Sequence, residues 1–229
     1  MEKVDVEKAM NELDSWVSKR GNGEYVPKNF VSPAFSFYGI PANFGIQQVR
    51  AEIKDFAHVI ADQSYNHNTS ALEVGLGYFG STHFLWRQLF DKVTSIEKSH
   101  DRVRSFGENS RDFYNKWIAD DGKSSFLIGA SNDVSTLKKA YDSLTGGVDM
   151  LFIDGDHRYE GVMADWLLYN PLVGKGGIVA FHDANASVDS CGVPDFLEDL
   201  ENGHIDGKNY ELSKIIKSED AGIAYYIKE

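Results

Sequence analysis

The sequence predicts an α/β protein built on a mostly parallel sheet with helices on both faces, and three observations predict it. From residue 71 onward short apolar runs alternate with helical stretches, the rhythm of strands buried beneath crossover helices. A Gly-X-Gly-X-X-Gly turn, Gly75-Leu76-Gly77-Tyr78-Phe79-Gly80, follows the first of those runs and precedes a helix. The last two runs, 212–216 and 222–227, are separated only by Lys217-Ser218-Glu219-Asp220-Ala221. That is too short for a helical crossover, so they should pair antiparallel.

In chain order, the first helix spans about 4–19. Val6, Met10, Leu13 and Val17 recur at helical spacing on one face, and Arg20-Gly21-Asn22-Gly23 stops it. Pro27, Pro33 and Pro41 then interrupt a stretch carrying Phe30, Phe35, Phe37, Tyr38 and Phe44, too broken for regular structure and too aromatic for a solvated linker. It reads either as an arm over the core or as a lid over a substrate pocket. Asn43 can cap a second helix with the stripe Ile46, Val49, Ile53, Phe56 and Ile60. Strands are expected at 71–76, 92–97, 124–129, 148–154 and 177–182, and helices at 82–90, 101–118, 133–143, 159–168 and 193–200. The chain thus divides into an N-terminal helical and aromatic extension, 1–68, and a sheet domain, 69–229.

Composition narrows the function. Among 229 residues, 23 Lys and Arg face 35 Asp and Glu, a formal charge of −12, with one cysteine. Excess acid repels phosphate backbones and no basic tract interleaves with aromatics, which argues against a nucleic-acid partner. No apolar run approaches the ~18 residues that span a bilayer, and the charges of the first eight residues are unlike a signal peptide, which argues against a membrane. Lone Cys191 can form no internal disulfide or Cys-rich zinc site, so the cytoplasm is the expected location. A small-molecule partner fits best, and a homo-oligomer is compatible with all of this.

The glycine turn lies where ligands bind in open α/β sheets, at the carboxyl ends of the strands. Glycines let the backbone turn sharply and approach a ligand closely. Glu97 ends the next strand, where a carboxylate can accept hydrogen bonds from both hydroxyls of a ribose, so an adenosine-containing ligand is expected. Glu73, just ahead of Gly75, would repel the diphosphate of a dinucleotide and favours S-adenosylmethionine, which carries a sulfonium and an ammonium but no phosphate.

At these residues the chain resembles the class I S-adenosylmethionine-dependent methyltransferases. Residues 73–80 look like their glycine-rich first motif, Glu97 like their ribose acid, and Gly129-Ala130-Ser131-Asn132 like their adenine-side loop, with Asp133 free to cap a helix. The resemblance implies a Rossmann-like seven-stranded sheet of order 3-2-1-4-5-7-6 with strand 7 antiparallel. It also implies that 69–229 is the methyltransferase domain and that the cofactor is held by Glu73, Gly75, Gly77, Gly80, Ser81, Glu97, Ala130, Ser131 and Asp154.

Asp149-Met150-Leu151-Phe152-Ile153-Asp154-Gly155-Asp156-His157-Arg158-Tyr159 is the most informative stretch. An apolar strand delivers Asp154, Asp156 and His157 to the ligand edge, and the next strand delivers His182 and Asp183 beside them. Carboxylates from adjacent strand ends suit a hard divalent cation such as Mg²⁺, which could lower the pKa of a substrate hydroxyl. Neighbours on a strand face opposite ways, so His182 and Asp183 can share an ion only where the chain leaves the strand.

Here the resemblance narrows to metal-dependent sugar and small-molecule O-methyltransferases with an Asp-Gly-X-His-X-Tyr segment. It implies Asp154, His182 and Asp183 as metal ligands, with His182 standing where such enzymes usually have an acid. It makes Asp154 and His157 catalytic, with His157 as general base. Asp156 and Arg158 read as solvated or salt-bridged, and Asp165 and Trp166 as packing and surface residues. The function expected is methyl transfer from S-adenosylmethionine to an oxygen of a small hydroxylated acceptor. Two alternatives stay open: a nicotinamide-dependent oxidoreductase on the same glycine pattern, and a non-catalytic protein that binds the donor or a nucleotide.

Overall fold

The computed structural model describes residues 4–21, 48–63, 69–77, 80–98 and 122–229. The aromatic stretch at 27–44, the Asn43 cap and the helix expected at 101–118 lie outside the described residues.

The described strands are β1 (Ser70–Val74), β2 (Lys92–Glu97), β3 (Ser124–Ile128), β4 (Val148–Ile153), β5 (Val173–His182), β6 (Ser213–Ile215) and β7 (Ile223–Ile227). They form one sheet in the order β3-β2-β1-β4-β5-β7-β6. The first five run parallel, and β7 is antiparallel to both β5 and β6. This is the expected Rossmann-like topology. β5 starts four residues before the apolar pattern does, because Gly174, Lys175 and Gly176 are exposed and carry no hydrophobic signal. The register against β4 shifts there, between Val148 and Met150.

Six helices flank the sheet among the described residues: α1 (Val6–Gly21), α2 (Arg50–Gln63), α3 (Ser81–Leu89), α4 (Val134–Ser143), α5 (Tyr159–Tyr169) and α6 (Val193–Glu201). Strand alternation decides which face each side chain serves. Met150, Phe152, Ile178 and Ala180 pack with the residues of α1, α2 and α3, whereas Leu151, Ile153, Val179 and Phe181 pack with those of α5 and α6. The N-terminal helices therefore share the core of the sheet. Trp16 of α1 stacks on Phe84 of α3 at 4.4 Å, and Phe56 of α2 meets Trp86 edge-on at 6.0 Å.

Glu52 of α2 ties those helices to the far edge of the sheet. Its carboxylate is fully buried and accepts from the backbone N–H of Lys217 at 2.6 Å, from Ser218 Oγ at 3.3 Å and from the N–H of Gly222 at 3.0 Å. The loop it holds in turn binds the segment after β5. Ala184 N–H donates to the Gly222 carbonyl at 3.1 Å, and Asn185 N–H to that of Ala221 at 2.6 Å.

Candidate active site

The parallel strands end level with one another, since Val74 pairs with both Ile96 and Ile153, and Ile153 with Phe181. Gly75, Asp154 and His182 consequently meet at one edge. A cavity of about 590 Å³ opens beside them, lined among others by Gly75, Glu97, Ala130, Ser131, Asp156 and Asp165. That size falls within the ~300–1,000 Å³ typical of small-molecule sites.

Gly75 is required by a close approach within the protein itself. It has φ +97°, and a Cβ on it would lie 1.9 Å from the carbonyl oxygen of Asp154. The close approach it permits is therefore between the ends of β1 and β4, which brings the glycine turn against the Asp154 loop. Gly80 is the residue before α3, also left-handed at φ +60°, and Gly77 has φ +67°.

Of the residues expected to hold a cofactor, Gly75, Glu97, Ala130 and Ser131 line the cavity. Glu73, Gly77, Gly80, Ser81 and Asp154 are not among the described residues that do so. Asp133 caps α4, accepting from Ser135 N–H at 2.7 Å.

Glu73 faces the other side of β1. Its carboxylate is fully buried and accepts from Trp86 Nε1 at 3.1 Å and from Ser95 Oγ at 2.5 Å, with Thr82 also bonded to it. Behind Ser95 stand His83 Nδ1 at 2.7 Å and, beyond the ring, Ser124 Oγ, 3.0 Å from His83 Nε2. Since the Ser95 hydroxyl donates to Glu73, its oxygen accepts from His83 Nδ1–H, and the ring is neutral when Nε2 accepts from the Ser124 hydroxyl. Burial agrees, pushing His83 down to about 3. The charge of Glu73 thus sits under α3, and any effect on a ligand acts through the strand.

Burial raises Glu73 to about 7, against 4.5 in solution. The folded state therefore holds this proton more tightly than the unfolded chain, so the stabilisation is complete below pH ~4.5 and lost as pH rises through ~7. Glu73→Gln removes the ionisation and can keep the contacts by turning the Ser95 hydroxyl toward His83 as the ring moves its proton from Nδ1 to Nε2, where Ser124 Oγ accepts it. Its unfolding free energy should rise relative to the parent by on the order of 3 kcal/mol between pH 4.5 and pH 8, measured by urea denaturation. A difference that does not change with pH would overturn the assignment.

Asp154 follows the last residue of β4, and Asp183 follows the last residue of β5 with φ 58°. That left-handed turn is the departure from the strand that lets His182 and Asp183 face one centre; Asp is among the few residues that tolerate it. His157 bridges the two acids, with Nε2 3.3 Å from Asp154 Oδ1 and Nδ1 2.9 Å from Asp183 Oδ2. His182 Nδ1 lies 3.0 Å from Asp183 Oδ1 and 3.4 Å from Asp154 Oδ1. Both His182 ring nitrogens are buried, yet neither makes a directed hydrogen bond. Burial alone would raise both acids, but the neighbouring histidines bring Asp154 and Asp183 below the ordinary carboxylate range. Reciprocally, hydrogen bonds to Asp154 and Asp183 lift His157 to about 11.

Two residues of the site escaped sequence reasoning. Gln48, nearly inaccessible just ahead of α2, donates from Nε2 to Asp154 Oδ2 at 2.7 Å. Nothing local marks it, because its partner is 106 residues away. Asp165 is buried, not a surface residue, and lines the cavity. Burial raises it to about 6, although the Ser131 hydroxyl and the Asp156 backbone both bond to it. A signal existed: Val162, Asp165, Trp166 and Tyr169 form the buried stripe of α5, and an acid on such a stripe needs partners. Asp156 and Arg158 form the expected surface ion pair, 2.5 Å apart.

A family described as a methyltransferase domain matches residues 64–184. Over 42 residues the chain is 52% identical to the uncharacterised protein R132 of Acanthamoeba polyphaga mimivirus, a match spanning 18% of this chain and 19% of that protein. Among solved structures, an O-methyltransferase from Bacillus cereus in complex with S-adenosylhomocysteine aligns with TM-score 0.56 and 18% identity, covering 96% of this chain and 91% of that one. The O-methyltransferase TomG from Streptomyces achromogenes, in complex with S-adenosylmethionine, aligns with TM-score 0.50 and 16% identity over 96% and 90%. The MycE methyltransferase of mycinamycin biosynthesis, holding Mg and S-adenosylhomocysteine, aligns with TM-score 0.53 and 16% identity over 81% of this chain and 51% of that one. At these identities the likeness is one of fold.

Proposed function

The chain belongs to the family of methyltransferase domains, and from that premise we propose that it moves a methyl group from S-adenosylmethionine to an oxygen of a small hydroxylated acceptor. One observation carries the reading: the cavity bounded by Gly75, Glu97 and the 130–132 loop also reaches His157, which bridges Asp154 and Asp183. Donor and acceptor sites would then be neighbours at the strand ends.

In this reading Glu97 accepts hydrogen bonds from the ribose hydroxyls, and Ala130 and Ser131 border the adenine. The acceptor oxygen attacks the sulfonium methyl in line; its bond to carbon forms as the carbon–sulfur bond breaks, leaving S-adenosylhomocysteine. Most of the catalysis is positioning. Asp154, held by Gln48, and Asp183, held at its left-handed turn, orient the acceptor. His157 takes the hydroxyl proton. With both carboxylates bonded to it the ring is a cation at neutral pH, so it becomes a base only when those oxygens are engaged elsewhere.

A divalent cation fits the donor set. Asp154, His182 and Asp183 offer ligand atoms within 4.8 Å of one another, and the His182 nitrogens are buried without a directed partner. One imidazole among two carboxylates suits Mn²⁺ better than Mg²⁺. When bound, such a cation would lower the pKa of an acceptor hydroxyl. No helix among the described residues is long and apolar enough to cross a membrane, and with a lone cysteine this supports a cytoplasmic enzyme.

Calorimetric titration with S-adenosylhomocysteine, in EDTA and then with Mn²⁺, tests this directly. Binding is expected in both series, with NAD failing to compete. Binding of NAD and not of S-adenosylhomocysteine would overturn the proposal in favour of an oxidoreductase. Tight binding with no transfer of labelled methyl to a panel of sugars and catechols, with or without Mn²⁺, would leave a donor-binding protein without turnover.

A further inference from the structure

We propose that His157, Asp183 and Cys191 form a second cation site, one selective for zinc-like ions, beside the acceptor site. Their ligating atoms lie within 4.8 Å of one another. Each comes from a different segment: His157 from the loop between β4 and α5, Asp183 from the end of β5, Cys191 from the turn before α6.

Backbone bonds hold the segments in place. Gly192 N–H donates to the His157 carbonyl at 2.8 Å, and Cys191 N–H to that of Val188 at 2.8 Å. A Cβ on Gly192 would lie 2.4 Å from Tyr159 N, so the two loops touch directly. Zinc takes sulfur at ~2.3 Å and nitrogen or oxygen at ~2.0–2.2 Å, which sets tetrahedral donors roughly 3.3–3.7 Å apart. His157 Nδ1 and Asp183 Oδ2 stand at 2.9 Å, so side-chain adjustments of about an ångström assemble the site. His157 is half-exposed and Cys191 partly so, leaving an entry path and room for water as fourth ligand.

Charge and softness decide which ion enters. A thiolate and a carboxylate balance a divalent ion, and Asp154 adds negative potential 3.3 Å from the His157 ring. Thiolate with imidazole selects Zn²⁺ or Co²⁺ over Mg²⁺. Both cation sites draw on Asp183, so occupancy of one competes with the other. An ion on His157 Nδ1 also removes the ring from proton transfer. Zinc is therefore an inhibitor of the activity proposed above, and this last consequence alone rests on that activity.

Cys191 is the only cysteine in the chain, so a thiolate-to-cobalt charge-transfer band in the near ultraviolet can come from no other residue. The full chain is titrated with Co²⁺ and then with Zn²⁺, and circular dichroism checks that each variant is folded. The band should saturate at one equivalent, independent of protein concentration, and disappear on adding Zn²⁺. It should be absent in Cys191→Ser, at least tenfold weaker in Co²⁺ affinity in His157→Ala and in Asp183→Asn, and present in Asp154→Asn. No band in the parent chain overturns the proposal, as does a band whose affinity is the same in the His157 and Asp183 variants, which would be thiol binding alone. S-adenosylhomocysteine titrated into the same samples separates the two ideas. Donor binding without a cobalt band sinks the second site, and a band without donor binding sinks the methyltransferase reading.

Discussion

Glu97→Ala is expected to weaken S-adenosylhomocysteine binding between about tenfold and a hundredfold, ~1.4 to 2.8 kcal/mol, with little change in thermal stability. Glu97 ends β2, is 2% exposed and lines the cavity. In the proposed reading, a carboxylate there would replace two ribose–water hydrogen bonds with two charge-assisted ones, and truncation to a methyl would leave both hydroxyls facing an apolar void. Because β2 lies inside the sheet, flanked by β1 and β3, the side chain is positioned by the strand that carries it. Calorimetry reads the affinity without an acceptor. A Glu97→Ala protein that binds as tightly as the parent would remove the ribose from this corner of the cavity. Glu97→Gln, which keeps an oxygen but gives up the charge, should fall between the two.

Glu52→Ala should cost about 2–4 kcal/mol of unfolding free energy, the largest stability loss expected from a single polar side chain here. The substitution leaves the buried N–H of Gly222 without its acceptor and frees the N–H of Lys217 and the hydroxyl of Ser218. Simple loss of a net hydrogen bond would be nearer ~1 kcal/mol; the excess comes from orphaning donors that the protein has already taken out of water. Urea unfolding measures it, and a loss below ~1 kcal/mol would mean that water reaches the loop. The effect should extend to the site, because the 217–222 loop holds Ala184 and Asn185 by backbone bonds, and these two residues lie within the turn that the Ala186 N–H closes on the Asp183 carbonyl. Donor affinity in this variant should stay close to the parent's, since Glu52 and its loop lie away from the residues lining the cavity.

Much of the fold was legible because strand burial and strand alternation write themselves into the chain locally. The runs at 71–76, 92–97 and 148–154 read as strands because both faces are covered, and both faces are indeed packed in β1, β2 and β4. The five residues between the last two runs already excluded a parallel pair, and β6 and β7 are antiparallel. The cluster at Asp154, His157, His182 and Asp183 was visible for the same reason: each residue sits within four positions of a strand end, and adjacent parallel strands end together. Glu73 shows the limit. Its place ahead of the glycine turn suggested a charge aimed at the ligand, but one residue of alternation turns it toward Trp86 and Ser95. The periodicity of the strand says that neighbours face opposite ways, not which face the ligand occupies.

Local pattern was enough for the succession of the described strands and helices along the chain, the glycine turn and the acid at the end of β2, since each depends on residues within about a turn or a strand of one another, whereas the adjacency of the two acid-bearing strand ends followed from the sheet order that the family resemblance implied. Contacts across the whole chain settled the rest: Gln48 on Asp154, Glu52 on Gly222, Asp165 inside the cavity, Cys191 beside His157. Hydrogen bonds and ion pairs of that kind form between groups whose proximity is a property of the folded chain, and the spacing of residues along the sequence carries no trace of them.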